Sequence, residues 1–277
     1  MSVPSAQSWL YHSLWLLVAI AGFLLGAISG IGILLVGIAY IYYSRLASLS
    51  PAPLMHGLFI ATVVAFHLLP WINDYTIFSD LSAGPLSRSY ELRLSFENLL
   101  LLLILYFHHH LLIQNQPSNN QQRSLDERLR YASNTSLTKS RLALWSTAII
   151  CMVAPLPLAD AFGLIDRELA FPWWLPWWAA INLFITCTTE EWLFRGYIQR
   201  HLNQRMPQIY ALLFTSILFG LAHSGGGIAY VLVASIAGIG YGLIYSLSNR
   251  LIYAILAHFA LNLCHLLLFT YPGIAAR

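Results

Sequence analysis

Glu190 and Glu191, followed four residues later by Arg195, stand inside Thr188-Thr189-Glu190-Glu191-Trp192-Leu193-Phe194-Arg195-Gly196, a stretch otherwise apolar enough for a lipid-buried helix. An ionised side chain at the centre of a bilayer costs roughly 2.5–3.5 kcal/mol on insertion scales, so three within six residues need a reason. Glu191 and Arg195 are spaced i, i+4 with the acid first, the favourable order for an ion pair on one helix face. Burial makes such pairing close to obligatory. Glu190 projects about 100° away and shares Arg195 less readily, which leaves it available as a general base. The alternative is structural: both acids neutralise Arg195 and lock helices together.

Two further spans carry groups able to work with a carboxylate. Phe219-Gly220-Leu221-Ala222-His223 closes one of them, just before Ser224-Gly225-Gly226-Gly227. Taken alone, His223 reads as an interfacial residue favoured by the helix dipole. In the last span His258 and Asn262 share one face at i, i+4, with His265 a turn further on. These side chains suit a polar cavity or an oxyanion cradle, and equally well hydrogen bonds between helices. His108, His109 and His110 read as interfacial anchors. Ala234, Gly238 and Gly242, at steps of four, form a small-residue stripe for close helix packing. Cys151, Cys187 and Cys264 share no metal-type spacing, which argues against a disulfide framework or structural zinc.

The elements that must position these groups are membrane helices. Of 277 residues 58% are hydrophobic and only 9% charged, against about 25% charged in a soluble domain. The apolar runs are continuous rather than alternating, which argues against a barrel. The expected fold is all-α, a polytopic transmembrane bundle of eight or nine helices. Spans of about 20 residues are placed at 54–70, 97–113, 142–158, 175–195, 208–223, 228–247 and 251–269. The run from Leu14 to Tyr43 supplies one or two more and is too long for a signal-peptide core. This divides the chain into N-terminal helices (1–113), a polar linker (114–141) and a core (142–277).

Arginine and lysine alternate between loops so as to place 114–141 in the cytoplasm and the C-terminus outside. The net charge of +3 is small and dispersed, which speaks against nucleic acid. Trp173, Trp174, Trp177 and Trp178 read as an interfacial belt. The long 71–96 loop is a substrate gate or a plain connection.

The order Glu190-Glu191-x-x-x-Arg195, Phe219-x-x-x-His223, His258-x-x-x-Asn262 on three hydrophobic helices resembles the CPBP family of intramembrane proteases, also called Abi or type II CAAX prenyl endopeptidase-like. The likeness runs over roughly 142–269. It implies an endopeptidase that hydrolyses a peptide bond near the C-terminus of a membrane-associated protein or peptide, in a lipid bilayer, the bacterial inner membrane being the expected location. In the family's glutamate-based mechanism Glu190 and His223 activate a water, His258 and Asn262 stabilise the oxyanion, and Glu191 with Arg195 supports the site. Members have also been described as metalloproteases. Glu190, Glu191, His223 and His258 could hold Zn²⁺, but a metal-free site is favoured, because the apolar setting supplies little second shell. The rival readings are a proton-coupled transporter using the buried acids as a relay and a non-catalytic peptide-binding immunity protein. One conflict stands: the expected spans put Glu190 toward the cytoplasmic end of its helix and His223 toward the external end of the next. Either 196–207 re-enters the membrane or the span limits are wrong by a turn or more.

Overall fold

The computed structural model describes residues 17–18, 20–22, 24–26, 28, 72–114 and 138–275. The expected span at 54–70, most of the Leu14–Tyr43 run, the 115–137 part of the linker and the side chains of His108–His110 lie outside the described residues. Helix α1 is Phe96–Gln114. Helix α2, Thr138–Val153, is followed by α3, Pro155–Ala161. Pro155 sits at the first turn of α3, where its missing N–H costs nothing. Helix α4 runs continuously over 175–202. Then follow α5 (Gln208–Ala222), a 3₁₀ turn (Ser224–Gly226), α6 (Gly227–Ser248) and α7 (Leu251–Leu268). Among the described residues, three helices are long and apolar enough to cross a membrane: Leu142–Ala161, Ser224–Ser248 and Leu251–Leu268.

The all-α expectation needs a correction. Strands β1 (Tyr75–Leu81) and β2 (Tyr90–Leu94) form an antiparallel hairpin, pairing Tyr75 with Leu94 and Leu81 with Tyr90. Tyr90-Glu91-Leu92-Arg93-Leu94 alternates apolar and charged residues, the period-2 signature of a half-buried strand. Leu81 and Leu92 are buried against Trp174, Trp178 and Leu266.

The tryptophan belt is likewise half right. Trp173 and Trp177 are 68% and 58% exposed, as anchors would be, whereas Trp174 and Trp178 are 1% and 2% exposed. Trp174 and Trp178, four positions apart, turn inward together to seat the hairpin. There Tyr90 packs on Trp174 at 5.4 Å between ring centroids, and Trp178 Nε1 donates to the Tyr271 hydroxyl at 2.9 Å. Burial pushes the Tyr271 hydroxyl well above the ordinary tyrosine range.

The hairpin loop, the segment after α3 and the C-terminal residues are laced together into a cap. Gly163, at φ +69°, ends α3 in a Schellman turn, with Gly163 N–H donating to Asp160 and Leu164 N–H to Ala159. Buried Glu168 accepts from Leu86 N–H at 2.7 Å and from the Ser87 hydroxyl at 2.5 Å. Tyr271 N–H donates to Ser87 Oγ, and Arg88 N–H to the Gly273 carbonyl.

Helix α6 is the hub, packing on α5, α2, α7 and α3. It runs antiparallel to α5, and glycines set the spacing. A Cβ on Gly238 would stand 3.2 Å from Ser216 Cα, and one on Gly220 would meet Ser235 and stand 2.5 Å from the Val231 carbonyl. The outer surface is apolar (Ile149, Ile150, Phe184, Phe214, Ile217, Ile252), while Glu191, Arg195, Gln199 and His258 are buried. This inversion of the soluble pattern is what a lipid solvent requires. Gly220→Ala is expected to lower stability by about 1–3 kcal/mol through overpacking, more than Gly238→Ala; thermal unfolding in detergent ranks the two.

Candidate active site

Helix α4 carries the charged cluster and is irregular where it does so. Asn182–Cys187 and Trp192–Gln199 are π-helical, and Thr188–Glu191 between them is α-helical. The Thr188 hydroxyl donates to the Leu183 carbonyl, five residues back, at 2.7 Å. Such π turns recur at functional sites.

Glu191 and Arg195 are fully buried and paired, Arg195 Nη1 donating to Glu191 Oε1 at 2.9 Å. Arg195 Nη2 donates to the Gly238 carbonyl of α6 at 2.8 Å. The guanidinium carbon lies 4.7 Å from the Phe219 ring centre and 5.2 Å from that of Tyr241, placing the cation in an aromatic cage. The same Glu191 oxygen meets His258 Nδ1 at 2.9 Å. One carboxylate oxygen therefore joins α4 to α7 directly, and through Arg195 to α6. His258 stacks on Tyr241 at 4.6 Å and 16°, so its plane is fixed as well as its tautomer. With Nδ1–H turned to the carboxylate, Nε2 is the nitrogen left for chemistry.

His223 ends α5, and its Nδ1 lies 2.8 Å from the Phe219 carbonyl. A carbonyl can only accept, so Nδ1 carries the proton and Nε2 presents its lone pair. Asn262 Nδ2 donates to Asn182 Oδ1 at 3.2 Å and approaches Cys187 Sγ at 3.6 Å. Its amide thus also ties α7 to α4, and an oxyanion would take over the weaker contact to sulfur.

His223, His258, Asn262 and His265 line one cavity of about 570 Å³, with Phe219, Tyr230 and Tyr241 in its walls. Glu191 stands directly behind His258. Glu190 is not part of the lining; it is half-buried on α4, and its Oε2 is enclosed without a hydrogen-bond partner among the described residues. With neutral imidazoles Glu190, Glu191 and Arg195 leave one surplus negative charge.

The depth conflict resolves in the second of the two ways. Residues 196–202 do not re-enter; they continue α4, whose 28 residues span about 42 Å. Measured from the α4–α5 turn, Glu190 lies about 18 Å along α4 and His223 about 22 Å along α5. The remaining gap is less than one helical turn.

Residues 172–264 match the family model of the type II CAAX prenyl endopeptidase Rce1-like proteins. This segment is Rce1-like. No curated protein and no solved structure matches the chain. The Rce1-like segment holds every polar residue of the charged cluster and of the two later motifs, and it agrees with the CPBP resemblance read from those residues.

Asn182, Tyr230 and Tyr241 are site residues that the motifs do not include. Asn182 had a signal, since an amide inside an apolar span calls for a partner; the two tyrosines had none beyond their hydroxyls. Among the described residues, no three His, Cys, Asp or Glu side chains gather as a metal would need, and Glu191 Oε1 and His258 Nδ1 already face each other.

Arg195→Met would strand the Glu191 carboxylate in the interior, an expected loss of about 3–5 kcal/mol. The Glu191→Gln/Arg195→Met double variant should recover a good part of it. Thermal unfolding of the wild type, both single variants and the double variant in detergent measures the coupling.

Proposed function

We propose that this chain is an intramembrane endopeptidase of the bacterial plasma membrane. It would hydrolyse a peptide bond near the C-terminus of a membrane-associated substrate by a metal-free, glutamate-based mechanism. The observation that carries this reading is the shared cavity. Within the Rce1-like segment, His258 and Asn262 from α7 and His223 from the end of α5 line one cavity, with two carboxylates on the neighbouring α4.

In this mechanism a water lies between the Glu190 carboxylate and His223 Nε2. Glu190 accepts its proton while the oxygen attacks the scissile carbonyl. General-base help of this kind is worth about 10²–10⁴-fold. The tetrahedral oxyanion is met by a protonated His258 Nε2 and by the Asn262 amide, a contribution of about 10²–10³-fold for each well-placed donor. Collapse of the intermediate breaks the C–N bond, and the proton held by Glu190 passes to the leaving amine. Glu191 keeps His258 in register, and Arg195 compensates the charge of Glu191. The apolar walls exclude bulk water, which strengthens each of these interactions.

Glu190→Gln and His223→Ala are expected to lower cleavage by at least about 10²-fold, and Asn262→Ala by about 10²–10³-fold. All three proteins should remain inserted. Mass spectrometry of membrane peptides from cells carrying wild-type or Glu190→Gln protein reads the difference; undiminished processing by Glu190→Gln would rule the mechanism out. Cleavage by purified protein should also be indifferent to 1,10-phenanthroline, and its abolition, with rescue by added Zn²⁺, would replace this mechanism with a metal-dependent one.

A further inference from the structure

The cavity has a mouth, and the mouth lies at one end of the bundle. Arg88 from the hairpin loop, Gly163 and Ile165 after α3, Gly225 and Gly226 between α5 and α6, and Pro272 and Gly273 of the C-terminal segment all line it. These are the segments laced into the cap. Toward the opposite end the interior is filled: buried Gln199 bridges to the Gly242 carbonyl and to Ser246. Beyond it Leu202, Leu212, Leu243 and Ala148 are buried. Among the described residues, the cavity that holds His223 and His258 is open toward the cap.

The two ends differ in charge. Helix α2 runs antiparallel to α6, with Ala148 against Leu243 and Cys151 against Gly240. The start of α2 therefore lies at the same end as the α4–α5 and α6–α7 turns. Among the described residues that end collects Lys139, Arg141, Arg200, Arg205 and Arg250. The cap end has Arg88, Arg93 and Arg167, two of them paired, Arg93 with Glu91 and Arg167 with Asp160. Five basic residues against three among the described residues, in short connections, orient the five toward the cytoplasm.

We infer that the active-site cavity opens on the non-cytoplasmic face of the membrane. The substrate class follows: a membrane-anchored protein that presents the scissile segment from outside, rather than a lipidated protein with its C-terminus in the cytosol. This rests on the peptidase reading for what enters the cavity, but the sidedness itself is measured without any cleavage.

The test places single cysteines in a Cys151→Ser/Cys264→Ser background, where the remaining Cys187 is buried. Leu86→Cys and Ser79→Cys report on the cap; Asn203→Cys and Gln204→Cys report on the α4–α5 turn, and all four positions are exposed. Bacterial spheroplasts expressing each full-length variant are treated with a membrane-impermeant maleimide before and after permeabilisation. The expected result is that the two cap cysteines label in intact spheroplasts at least about tenfold more than the two turn cysteines, and that permeabilisation removes the difference. Labelling of the turn cysteines in intact spheroplasts, alone or together with the cap, overturns the inference, as does a cap that labels only after permeabilisation. If the labelling is as expected but no membrane peptide depends on Glu190, the peptidase reading fails and the sidedness stands.

Discussion

A single carboxylate oxygen, Glu191 Oε1, holds the interior together. It receives a guanidinium from its own helix and an imidazole from α7, both at 2.9 Å. In lipid, where the helices gain little from burying apolar surface against one another, polar contacts and close packing supply specificity of association. Removing Arg195 leaves the Glu191 charge in a medium that cannot solvate it. Arg195 extends the network to the Gly238 carbonyl, and the glycine spacing of α6 is what lets α5 approach closely beside it. Orientation of His258 is thus a by-product of charge neutralisation, reinforced by its stacking on Tyr241.

Much of this was legible in the residue pattern. The spacing of Glu191 and Arg195 gave their pairing, because an i, i+4 acid and base that are both buried have few other partners. The limits of α5, α6 and α7 fall within a residue or so of the apolar runs, since glycine, proline or arginine interrupts hydropathy at each end. Illegible was the reach of α4 to Leu202. Arg195, Gln199 and Arg200 look like the end of a span, and only the α6 carbonyls of Gly238 and Gly242, unknown to a linear reading, show why the first two can stay inside. The hairpin was hidden by its length and charge, although β2 alternates cleanly. Asn182 and Cys187 were hidden because their partner, Asn262, is 75–80 residues away.

Polar chemistry and polar structure are not separable in this core. Asn262, suited by type to receive an oxyanion, also holds α7 to α4 through Asn182. His223 spends one nitrogen on its own helix and thereby fixes the other. Glu190 is the contrasting case: one of its oxygens is enclosed and has no hydrogen-bond partner among the described residues. An enclosed, unsatisfied acceptor is costly to keep, and proton acceptance would give that cost a use.

The irregular winding of α4 has a further meaning for how such a helix tolerates change. Each π turn accommodates one residue more than a regular turn would, and the two here bracket the acidic doublet. Excising one residue from either stretch would restore the commoner i→i−4 ladder and relieve the backbone. The same excision would swing everything beyond it by about 100°, breaking the contact of Glu191 with His258 on α7 or that of Gln199 with Gly242 on α6. The winding is therefore a phase setting: length polymorphism that a lipid-facing helix could absorb is barred in this one.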